Sequence, residues 1–72
     1  MSGTGKSGTE DLTYNLVSVI YHALQGAETS DVYTRDAEKS GNQELTKFFQ
    51  DVKNQNQATA EQAKKLLGKH LS

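Results

Sequence analysis

Seventy-two residues form one domain at most, and a monomer of that length hides only about 60% of the surface its unfolded chain exposes. With 33% apolar residues and a formal net charge of -1, the chain has neither the large apolar content of a thick core nor the charge of a polyelectrolyte. It has no cysteine, which removes disulfides, thiol chemistry and Cys-ligated zinc or iron–sulfur sites.

Residues 1–8 are expected to be a flexible N-terminal tail, with Gly3, Gly5, Ser2 and Thr4 offering nothing to anchor it. Ser7 and Glu10 form a candidate S-x-x-E capping box, with Thr9 as an alternative cap. A first helix is predicted over about 10–39. Leu12, Leu16, Val19/Ile20, Ala23/Leu24, Ala27 and Ala37 recur at intervals dominated by three and four, which draws one stripe along a helix. Gly26 interrupts it at a cost of roughly 1 kcal/mol relative to Ala, so either a close helix contact or a local bend is expected there.

The predicted stop is Ser40-Gly41-Asn42, where Gly41 suits a left-handed conformation and Asn42 suits the cap of a second helix. That helix is predicted over about 43–69, with Glu44 near its positive end and Lys64, Lys65, Lys69 and His70 near its negative end. Its stripe runs through Leu45, Phe48/Phe49, Val52, Thr59, Ala63 and Leu66/Leu67. A turn this short makes the helices antiparallel, bringing Ala37 toward Leu45 and Leu12/Leu16 toward Leu66/Leu67. The fold class is therefore all-α, an antiparallel two-helix hairpin over residues 9–72. Two such hairpins pairing as a homodimer would close both stripes into a four-helix bundle.

Few motifs carry chemistry. Gly5-Lys6-Ser7 has the ending of a phosphate-binding loop but lacks the earlier glycine and the preceding strand. His22 and His70 belong to no Glu-x-x-His or nucleophile–base arrangement. Glu28 and Asp31 are i,i+3 neighbours that would bring four carboxylates together in a dimer, and the competing expectation is a solvated face with Asp31 paired to Arg35. In Asn54-Gln55-Asn56-Gln57, at least Gln55 or Asn56 should touch the helix seam, where a buried amide fixes register at a cost if unpaired. The lysines are interleaved with acids and only one arginine is present, so no nucleic-acid footprint is expected. The longest apolar run, Leu16 to Tyr21, is too short for a spanning helix or a secretory core, and no continuous basic flank suggests a membrane-surface helix. A soluble cytoplasmic protein is expected.

From Tyr21-His22-Ala23-Leu24 through Ala37 to Leu45, then Phe48-Phe49 and the Ala-rich helix ending Lys64-Lys65-Leu66-Leu67, the chain resembles one helical hairpin of ferritin-like, especially rubrerythrin-like, proteins. The resemblance covers residues 12–70 and implies half of a four-helix bundle. In that family a Glu on the first helix and a Glu-x-x-His pair on the second bind metal. Matching the turn and Phe49 puts Ala23, Asn56 and Thr59 at those positions, so all three ligands are replaced. No catalytic, cofactor or metal residue is assigned. The expected function is a small self-associating structural or protein-interaction module without catalysis. Leu16, Ile20, Leu24, Phe49, Val52 and Leu66 would carry assembly, Ala23 and Ala27 would permit close approach, and a further protein partner is unspecified. The alternative is a divalent-metal-binding ferritin-like protein with a non-standard site.

Overall fold

The computed structural model describes residues 8–72, with side chains from Asp11 onward. The expectations for the tail, the Ser7–Glu10 capping box and Gly5-Lys6-Ser7 lie outside the described residues. Two helices make up the rest, α1 (Gly8–Lys39) and α2 (Gln43–Leu71), and they pack against each other along their length. The Cα radius of gyration is 15.8 Å, against roughly 11 Å for a compact domain of this length. The molecule is a rod one layer thick.

Three residues make the connection. Gly41 takes φ 74°, and its N–H donates to the Glu38 carbonyl at 3.0 Å while the Asn42 N–H reaches back to the Ala37 carbonyl, also at 3.0 Å. This pair of bonds is a Schellman motif, which satisfies the carbonyls that α1 would otherwise leave open. Asn42 then starts the next helix: its Oδ1 accepts from the Leu45 N–H at 2.9 Å, and its carbonyl accepts from both the N–H and the hydroxyl of Thr46. One residue closes α1 and caps α2.

The seam between the helices is narrower than the stripe read from the sequence. On α1 the inward positions are Thr13, Leu16, Ile20, Ala23, Ala27, Ser30, Thr34 and Ala37, and on α2 Thr46, Phe49, Lys53, Asn56, Ala60, Ala63, Leu67 and His70. Both series alternate steps of three and four, the seven-residue repeat of antiparallel coiled-coil packing. The fully inward members are all small: Ala23, Ala27, Ala37, Ala60, Ala63, Ser30 and Thr34. Leu12, Val19, Leu24, Leu45 and Leu66, expected on the stripe, are exposed. They flank the small residues instead: the wholly covered positions hold only methyl and hydroxyl groups, and the larger seam residues Leu16, Ile20, Phe49 and Leu67 are covered only in part. The buried Thr34 hydroxyl donates to the Ser30 carbonyl at 2.8 Å. Among the described residues no buried side-chain nitrogen or oxygen lacks a partner.

Gly26 is a point of close approach rather than a bend. A Cβ placed there would lie 2.8 Å from the Asn56 Nδ2, so α1 has no side chain where the amide of α2 rests on it. Gln55 is exposed, and Asn56 is the amide that enters the seam. Replacing Gly26 by Ala should gain helix propensity of about 1 kcal/mol only where that amide is removed. We expect Gly26→Ala to stabilise an Asn56→Ala background by about that amount and the native background by clearly less. A urea-denaturation double-mutant cycle should give a coupling of roughly 0.5–1 kcal/mol; additive effects would mean that the two positions do not touch.

Candidate functional site

The seam divides the remaining surface into two broad faces. On one side lie Leu12, Val19, Gly26 and Tyr33 of α1, each seven residues from the next, beside Leu45, Val52, Thr59 and Leu66 of α2 at the same spacing. A seven-residue repeat keeps a set of positions on one side of a supercoiled pair, so this side is apolar on both helices. Leu16, Val19, Thr59, Ala63 and Leu66 line one shallow hollow on it, and Tyr33, Ala37, Leu45 and Phe49 line another nearer the turn. Tyr33 meets Phe49 with ring centroids 5.5 Å apart, and Phe48 meets Phe49 at the same distance. Val19, Tyr33, Leu45 and Leu66 are each between 43 and 48% exposed, and Leu12 and Phe48 more so. Among the described residues no large side chain is fully buried.

The opposite side is apolar mainly on α1. Val17, Tyr21 and Leu24 sit there, while α2 answers with Gln57 and Lys53. The cross-helix contact on this side is electrostatic. Lys53 Nζ donates to Asp31 Oδ1 at 3.0 Å, with the lysine side chain 33% exposed. Arg35, the partner expected for Asp31, also pairs with it at i,i+4, at a longer 3.8 Å and with a more exposed side chain than Lys53. The Lys53 ammonium, by its hydrogen bond first and its charge second, holds the Asp31 carboxyl below the usual carboxylate range; desolvation opposes this, and the Arg35 charge adds the smallest share.

Glu28 and Asp31 line the same hollow, together with Tyr21, Leu24, Lys53 and Gln57. Asp31 there already holds a cation belonging to the chain. Among the described residues no three His, Cys, Asp or Glu side chains gather closely enough to hold a metal ion. His22 is exposed and stands edge-on to the Tyr21 ring, 5.3 Å between centroids, and His70 is half-buried near the end of α2. At the positions matched to ferritin-like ligands, Ala23 is inside the seam, Asn56 rests on Gly26 and Thr59 is exposed on the apolar face. None of these three side chains is a carboxylate or an imidazole. Among the described residues no helix is long and apolar enough to cross a membrane.

The six residues expected to carry assembly do not share one surface. Val52, Leu66 and the half-buried Phe49 and Leu16 border the apolar face, Ile20 is half-buried in the seam, and Leu24 lies on the opposite side next to Asp31 and Lys53. Leu12, Tyr33, Leu45 and Phe48 belong with the first group. The seven-residue spacing Leu12–Val19–Gly26–Tyr33 and Leu45–Val52–Thr59–Leu66 is the sequence signal that groups them. Comparison with protein-family models, with curated proteins and with solved structures finds no match to this chain.

The lowered Asp31 pKa gives stability a defined pH dependence. A carboxyl whose folded pKa lies below its unfolded value contributes fully above the unfolded value, near 4, and loses that contribution as pH falls through the folded value. Thermal unfolding followed by circular dichroism from pH 5 to pH 2.5 should show a smaller drop in Tm for Asp31→Asn than for the native chain. Equal drops would mean that the Lys53 contact does not persist in solution.

Proposed function

We propose that this chain is a self-associating structural or interaction module, a homodimer of hairpins forming a four-helix bundle without catalytic chemistry of its own. The observation that carries the reading is that none of the large apolar side chains is fully buried within the described hairpin, while one face presents them from both helices. A half-exposed Leu, Val, Tyr or Phe leaves on the order of 80 Å² in water. Six such residues leave about 500 Å², and the half-buried Leu16, Phe49 and Val52 bring the patch to roughly 600 Å², the larger part of the roughly 800 Å² per partner of a standard protein interface. Isolated exposed apolar residues are ordinary on a monomer, but a contiguous patch of this size is not. A two-layer arrangement covers the patch with the same surface on a second copy, the commonest form of closed assembly. The resemblance to half of a ferritin-like bundle supports the same architecture, and the residues at its ligand positions give no reason to assign metal chemistry.

Sedimentation equilibrium over about 1–100 μM should give twice the 7.9 kDa chain mass, with helical circular dichroism falling as the dimer dissociates on dilution. A fully helical species that remains at the chain mass across that range overturns self-association.

A further inference from the structure

The apolar face can meet its copy in two ways, and the charges of the helices distinguish them. Resting on the reading of the chain as a self-associating hairpin, we propose that the two copies pair about a two-fold axis parallel to the helices. Each α1 then lies over the partner's α2, and both turns are at the same end of the bundle.

The alternative two-fold axis runs across the helices. It puts α1 on the partner's α1, α2 on the partner's α2, and the turns at opposite ends. The apolar face is covered in either case, so burial alone does not choose. Charge does. α1 carries six carboxylates against Arg35 and Lys39, a formal charge of -4, whereas α2 carries three carboxylates against five lysines, a formal charge of +2. With the axis along the helices, every neighbouring pair in the four-helix ring joins an acidic helix to a basic one. With the axis across them, two of the four pairs join like to like. Neighbouring helices in a bundle lie about 8–10 Å apart, close to one Debye length at physiological salt. Glu28, Asp31 and Lys53 lie on the opposite side and are screened; leaving out the two carboxylates takes α1 from -4 to -2, and leaving out the lysine takes α2 from +2 to +1, so the signs stay opposite.

The distribution of side-chain types along the face agrees. The rings Tyr33, Phe48 and Phe49 cluster near the turn, while Leu12, Leu16 and Leu66 occupy the distal end. Turns at the same end bring ring cluster onto ring cluster, where edge-to-face packing is available, and leave the aliphatic ends to pack on each other. The opposite-end arrangement sets each ring cluster against leucines.

The absence of cysteine makes a direct measurement straightforward. Gln43→Cys places a spin label beside the turn, and Gly68→Cys places one at the far end, where an added Cβ meets no neighbour. Pulsed electron-spin distance measurements on each labelled homodimer should give separations on the order of 20–30 Å at both positions, a bundle width. Separations near the 50 Å length of the rod at both positions overturn the same-end arrangement and leave self-association standing. Sedimentation at the chain mass overturns self-association and this arrangement with it. The choice of face is tested by Val17 and Val19, which are similarly exposed, at 48% and 44%, on opposite sides of α1. Val19→Lys should weaken the dimer at least tenfold and Val17→Lys less than twofold, and the reverse order overturns the face.

Discussion

The Asn56 side chain of α2 rests on α1 at Gly26, where an added Cβ would lie 2.8 Å from its amide nitrogen, and only small residues are wholly covered between the helices; the placement of most large residues follows from that narrow seam. Its wholly covered positions hold alanine, serine and threonine, and Leu16, Ile20, Phe49 and Leu67 enter it only part-way. It turns Leu12, Val19, Leu24, Leu45 and Leu66 outward onto the flanks. Ala60, completely covered, marks how little room remains. The usual division of a helical protein, large apolar groups inside and small ones wherever they fall, is inverted here. The hairpin acquires a dense but meagre interior, and its hydrophobic capacity is left on one face for something else to cover.

Register along the seam is fixed at separate points by different physics. At the turn it is set by backbone hydrogen bonds through Gly41 and Asn42. Midway, the fit of Asn56 to Gly26 and the ion pair of Lys53 with Asp31 set it again. An alanine seam is permissive, since one methyl group resembles the next and a shift by a heptad changes little in packing. The polar contacts supply the discrimination that the methyl groups lack. They also give the two faces different characters, one with an interhelical ion pair and the other continuous apolar surface.

The helices, the turn and its caps were legible in the sequence because each depends on neighbours in the chain: the glycine and asparagine chemistry at 40–42, the absence of proline, and the spacing of three and four. The seam was legible only in part. The spacing places Ala23, Ala27, Ala37 and Ala63 where they are found, but hydrophobicity ranks Leu12 and Leu66 above Ser30, Thr34 and Ala60. Helix separation reverses that ranking, and separation is a property of the pair rather than of either helix. The pairing of Asp31 with Arg35 one turn along its own helix is present, as the spacing predicts, but a closer cation comes from Lys53 on the other helix, a contact that local spacing does not reveal. Local spacing likewise puts Leu24 with the assembly residues, although it lies on the opposite side. Hydrophobic spacing identified the helix, and only the seven-residue repeat separates the two flanks.

The sharing of Asn42 by both helix ends bears on how the hairpin forms. Because only three residues separate the helices, closing the connection fixes few torsions outside helical geometry, and the ring contact of Tyr33 with Phe49 lies a short chain distance away. Loop closure of this kind is inexpensive in entropy, and contacts of low sequence separation favour rapid folding. The contacts of the distal leucines with α2 span most of the chain and carry the larger closure cost. Pairing therefore propagates outward from the turn, and the ends remote from it are the first to open when the native chain fluctuates.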